Sequence, residues 1–194
     1  MTKPRFADHL MHLPAGAPLL MMLASLTCLF IPSGSLAQGT QCPPQPADAP
    51  KRQIVRCPDG LTIEADAGAK YTLLDRNQDG QPDAANLESG ALFVDAPARS
   101  GRLPFRILTP QTVATARGTQ WAVDVSGGKT AVFVVSGLVF VRRANLPRGA
   151  RSNSGQSVNL EPGQGVDVEL GVAPLTARRW PAARASALLG RFGR

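Results

Sequence analysis

The sequence predicts an all-β fold, a short-stranded, twisted β-solenoid or sandwich-like domain with a signal peptide before it and a short helix after it. Three observations carry that prediction. Apolar runs between residues 53 and 170 are mostly about 4 to 6 residues long, and rich in Val, Ile, Phe and Thr, which suit a pleated surface. Turn residues punctuate nearly every gap between them: Pro58-Asp59-Gly60, Asp79-Gly80, Gly127-Gly128, Ser136-Gly137 and Pro162-Gly163. No clean repeat period is visible, which argues against a regular solenoid.

Taken in order, residues 1–37 read as a signal peptide. Lys3 and Arg5 give a positive start, Leu19 to Ile31 an apolar core too short to span a bilayer, and Ser35-Leu36-Ala37 a small-residue exit. Residues 38–52, with prolines and small polar side chains, are expected to be an extended lead-in. Strands are predicted at 53–57, 61–65, 70–75, 91–95, 104–109, 112–116, 120–125, 129–135, 138–142, 156–160 and 165–169. The clearest hairpin turns at Gly127-Gly128, where positive φ carries no steric cost. Arg148 to Gln156 reads as a polar loop. Residues 171–194 form a basic C-terminal segment whose Pro181–Phe192 stretch reads as a short helix, with Pro181 at its first position and Leu188, Leu189 and Phe192 on one face. Such a helix is marginal alone, so it must dock. The plainer expectation is that it closes one open end of the β-core with Trp180 as a plug; the sharper is a partner or membrane-surface helix.

Removal of the leader leaves two cysteines, Cys42 and Cys57, an even count that reads as one disulfide in an oxidising compartment. Both histidines, His9 and His12, fall in the leader. Ser-His and Cys-His nucleophilic machinery and His-ligated zinc are thereby excluded from the exported domain. The acids are scattered or confined to one turn, so an enzyme is not expected. Export places the domain in the periplasm or outside the cell.

The chain carries a formal charge of +7, and the imbalance is local. From Arg142 to Arg194 nine arginines stand against Glu161, Asp167 and Glu169, a surplus of six. A basic end points to an anionic envelope surface or acidic protein face, or to a solvated face with no partner. Nucleic acid is disfavoured, because aromatic residues are not interleaved with the basic ones.

Two constellations carry chemistry. Asp75, Asn77, Asp79 and Asp83 occupy positions 1, 3, 5 and 9 of a calcium-type loop, with Gly80 letting it turn and the Gln81 carbonyl at position 7. Asn86 replaces the bidentate glutamate at position 12, so a calcium site would be weak or completed by water; the plainer reading is a polar turn. The second is Arg117-Gly118-Thr119 followed by Trp121. Gly118 fits a bend between two strands, and Arg117 is expected to pin the structure by pairing with an acid or carbonyls rather than to bind a ligand.

The order of elements around that triplet resembles the FecR domain. An apolar strand ending in Thr-Pro (Phe105 to Pro110) leads through Val113–Ala116 into Arg117-Gly118-Thr119 and Trp121. Alternating valines, the Gly127-Gly128 turn, the Val132–Val141 pair and Gly163-Gln164 follow. The resemblance spans about residues 60–168 and implies an extracytoplasmic, all-β, solenoid-like domain without catalytic residues. In the name-giving members this domain is the periplasmic part of an anti-sigma signal transducer. Here a leader stands where those members carry a sigma-binding region, so the resemblance implies binding or sensing, not anti-sigma activity. A protein partner is expected, either a membrane sensor or an outer-membrane component. The alternative is a calcium-dependent envelope or cell-wall adhesion protein.

Overall fold

The computed structural model describes residues 42–98, 103–144, 155–171 and 173–194. The predicted leader and most of the 148–156 loop lie outside the described residues.

Among the described residues, thirteen strands and one helix follow in order. They are β1 (Pro44–Asp48), β2 (Lys51–Arg56), β3 (Thr62–Asp66), β4 (Lys70–Leu74), β5 (Ala84–Ala96), β6 (Phe105–Leu108), β7 (Thr112–Ala116), β8 (Thr119–Ser126), β9 (Lys129–Ser136), β10 (Val139–Arg143), β11 (Ser157–Leu160), β12 (Gln164–Glu169), β13 (Arg178–Arg179) and α1 (Ala182–Leu189), which runs into a 3₁₀ turn at Gly190–Phe192. The all-β expectation holds, and every predicted strand is present. No described helix is long and apolar enough to cross a membrane.

One long strand organises the whole. β5 pairs with β4 and, in parallel, with β6 over its first half, then with β3 and β8 over its second. The 13-stranded sheet thus divides into two layers: β1-β2-β3-β5-β8-β9-β12-β13 and β4-β5-β6-β7-β10-β11. Gly90 marks the changeover. Its φ of +81° suits glycine, and a Cβ there would lie 2.5 Å from Ala69 Cα.

The period-2 alternation of the strands fills the space between the layers. Leu92, Val94, Trp121, Val123, Val132 and Val134 from one layer meet Leu87, Ile107, Ala114, Val139 and Val141 from the other. The Cys42–Cys57 disulfide, with Cα atoms 4.6 Å apart, joins this core at its N-terminal edge. Residues expected as an extended lead-in instead supply β1, which hairpins onto β2. Pro44 and Pro46 cost little there because β1 is an edge strand and its outer side needs no donors.

The C-terminal helix docks, but not as an end plug. It covers the outer face of β5, β8 and β9, where Phe93, Ala122 and Phe133 stand in one cross-strand row. The small Ala91, Ala122 and Ala131 leave room for Trp180, Leu188 and Phe192. Trp180 stacks on Phe133 with centroids 5.0 Å apart, and Phe192 packs against Phe93 at 5.8 Å. Gly165 is required beneath Trp180, since a Cβ would come within 2.4 Å of the indole.

The adjacent acids then hold the arginines of the tail. Arg191 bonds Asp66 and Asp124, Arg184 bonds Asp167, and Arg194 reaches Glu64 at 2.5 Å. Burial alone would lower the Arg191 pKa, but the bonds to Asp124 and Asp66 outweigh it and raise it above the ordinary value. Much of the basic tail's charge is therefore matched within the domain, and only part of it faces outward.

Candidate binding cleft

The two constellations singled out in the sequence meet at one end of the sandwich. A cleft of about 100 Å³ is lined by Asn77, Asp79 and Asp83 from the β4–β5 loop and by Arg117 from the β7–β8 corner. Asp59, from the β2–β3 turn, joins them. Leu61, Ala96, Phe105 and Ala116 form an apolar floor, and Pro82, Pro97, Leu103 and Pro104 complete the wall. Residues that are far apart in sequence are gathered here because β5 changes layer at Gly90 and brings both its ends, Asp83 and Ala96, to this side, where the β7–β8 corner also passes from one layer to the other.

Each motif residue has a distinct duty. Gly118 takes φ +64° and lies so close to Ala98 that a Cβ would meet that side chain at 2.9 Å. Thr119 is buried, and its hydroxyl joins the Leu138 backbone on the neighbouring β9–β10 turn, with Thr119 Oγ1 and Leu138 O 3.2 Å apart. Two crossings between layers are therefore stitched by one hydroxyl. Trp121 is fully buried in the inter-sheet core against Phe105, with centroids 6.2 Å apart. Gly118, Thr119 and Trp121 are thus framework. Arg117 is the motif's exposed charged side chain, at the cleft rim.

The acidic loop is organised by its own hydrogen bonds. Asp75 accepts from the Gly80 N–H at 2.8 Å and the Asp79 N–H at 3.2 Å. Asp79 accepts from the Gln81 N–H at 2.9 Å and from Asn77 Nδ2 at 3.0 Å. Asp83, also at the cleft, has a different partner. It is buried and receives the Arg76 guanidinium side-on, with Nη2–Oδ2 at 2.8 Å. Burial would raise its carboxyl, but the Arg76 side-chain and backbone hydrogen bonds, with the Arg76 and Arg106 charges, hold it below the ordinary value. The four residues expected to share a cation are therefore not drawn to one point. Among the described residues no group of three or more His, Cys, Asp or Glu side chains could hold a metal ion.

Asp59, Leu61 and Phe105 are cleft residues that sequence reasoning did not single out. Asp59-Gly60 read only as a turn and Phe105 only as a strand position; neither carries a local signal of the far residues it faces.

Comparison with known proteins agrees with this architecture. The family model described as FecR protein matches residues 47–140. No curated protein is similar enough in sequence to match. Two crystal structures of a candidate anti-sigma factor from Parabacteroides distasonis superpose with TM-scores of 0.55 and 0.54 at 19% identity. Each match covers 76% of this chain and 64% of that one, so the chain spans less than two thirds of the solved protein's length. The cleft and its Arg-Gly-Thr corner fall within the matched region, so residues 47–140 form a FecR-like domain whose fold the solved structures share.

Proposed function

We propose that this domain works outside the cytoplasm, in envelope signalling, and that the cleft receives an anchoring side chain from a protein partner. The observation that carries the reading is the convergence of Arg117, the 75–83 loop and Asp59 around one apolar floor. A cleft of about 100 Å³ suits a single bulky side chain, with charged groups at the rim to fix its orientation. A membrane sensor or an outer-membrane component is the partner class that fits a FecR domain. The disulfide supports an oxidising compartment.

The test is capture from envelope extract, comparing the chain with its Arg117→Glu and Leu103→Ser variants, in calcium and in chelator. Both substitutions are at exposed positions, and an unchanged melting curve of each variant separates lost capture from lost fold. One partner retained by the parent in both conditions and lost by both variants would support the reading. Equal capture by all three chains would remove the cleft from recognition, and capture that needs calcium would restore the adhesion alternative.

A further inference from the structure

The hairpin formed by β12 and the returning segment 173–179 is splayed. Its arms pair only at Gln164–Arg179 and Gly165–Arg178. Beyond that point Leu175 turns into the inter-sheet core and donates its N–H to the Gly155 carbonyl at 2.7 Å. At the far end the buried Arg143 of β10 holds both arms, donating to the Glu169 carbonyl at 2.7 Å and the Ala173 carbonyl at 2.5 Å. Both ends are pinned, so the gap is built into the fold rather than frayed. It leaves a groove of about 540 Å³ between β12 and the returning arm.

On the groove side, Val166 to Glu169 have no strand partner among the described residues. An open strand edge offers backbone donors and acceptors at strand spacing. Arg178 and Arg179 stand at the groove, exposed, and make no ion pair with a described residue. Arg184 beside them is already matched to Asp167 through Nη1–Oδ2 at 2.8 Å. The unmatched charge at the groove is therefore positive.

We propose that this groove takes an extended acidic peptide segment of a partner protein, which adds as a short strand along β12 and sets its carboxylates on Arg178 and Arg179. Backbone pairing supplies affinity and the guanidinium–carboxylate contacts supply selection. An anionic lipid or polymer would use the arginines alone and leave the strand edge idle, so a peptide fits both features. This site is separate from the cleft and stands independently of it.

The probe is a fluorescein-labelled hexapeptide of alternating valine and glutamate, titrated with the full chain by fluorescence anisotropy. Saturable binding is expected. It should be lost when alternate peptide nitrogens are methylated, and weakened about tenfold or more in the Arg178→Glu/Arg179→Glu chain. Equal binding of the methylated peptide would overturn strand addition. Unchanged binding by the charge-reversed chain would overturn the role of the arginines. No peptide binding, or binding only to phosphatidylglycerol vesicles, would overturn the proposal outright. Both arginines are exposed, and an unchanged melting curve of the variant separates lost binding from lost fold.

Discussion

β5, β8 and β9 line two hydrophobic layers at once, and the two are sealed differently. Inward, Leu92, Val94, Trp121, Val123, Val132 and Val134 interlock with the opposite sheet layer. Outward, Ala91, Phe93, Ala122, Ala131 and Phe133 are covered by a tail from the very end of the chain. The inner layer is closed by strands on both sides, so opening it means unfolding the domain. The outer layer is closed by one short helix, held by two aromatic contacts and by arginines on Glu64, Asp66, Asp124 and Asp167. Such a layer can open locally without disturbing the strands beneath.

Truncating one aromatic in each layer exposes that difference most sharply. Trp121→Ala should cost about 3–5 kcal/mol, read as a loss of global stability in urea unfolding. Phe192 is as deeply buried, at 1% exposure. Phe192→Ala, however, can be relieved by release of the tail, so its cost in global unfolding is limited to the free energy with which the tail docks. Rapid trypsin cleavage at Arg184 and Arg191, with the β-domain left intact, is the expected result. If Phe192→Ala lowered global stability as much as Trp121→Ala, the two layers would be one cooperative unit.

The disulfide gives the next largest effect and belongs wholly to the inner layer. Cys42 and Cys57 are 15 residues apart in sequence, and a loop of that size contributes about 3 kcal/mol in the chain-entropy account. The Cys42→Ala/Cys57→Ala chain should lose about that amount in urea unfolding, with the tail's resistance to trypsin unchanged under native conditions. Faster tail cleavage in this variant would couple the two layers.

The inner layer was legible in the sequence and the outer one was not, for a physical reason. Alternation such as Trp121–Val123–Val125 is a local pattern, and it located the strands. Which side of β5, β8 and β9 the tail would cover depends on rows across strands, Phe93–Ala122–Phe133 above all, and such rows have no local signature. The first half of β5 was missed because Ala84 to Gly90 mixes small and polar residues, and β1 because Pro44 and Pro46 mask an edge strand. The cleft is the strongest case. Both of its motifs were visible as separate turns, but their meeting rests on two layer crossings, at Gly90 and at the Gly118 corner, that only the assembled sheet reveals. The tail arginines read as a basic surplus, and their acids on β3, β8 and β12 lie too far away in sequence to be paired by inspection.

The smallest expected effect asks whether the cleft end of the inner layer is tied by charge, as the outer layer is. Asp83 is the buried member of the pair with Arg76, and Arg76 is 42% exposed, so solvent screening keeps the contribution below about 1 kcal/mol. Its carboxyl is held below the ordinary value in the folded domain. The folded state therefore prefers the ionised form more strongly than the unfolded chain does. The stabilisation is fully present above the unfolded carboxylate value, about 4, and is lost as pH falls through the lower folded value. Melting temperature should accordingly fall on acidification below about pH 4, and less steeply in Asp83→Asn, which has no carboxyl to protonate at that position. Asp83→Asn should leave the tail's resistance to trypsin at neutral pH unchanged, because the pair sits at the cleft and away from α1. A parent and variant with the same acid slope would show that the Arg76 pair does not tie that end of the core.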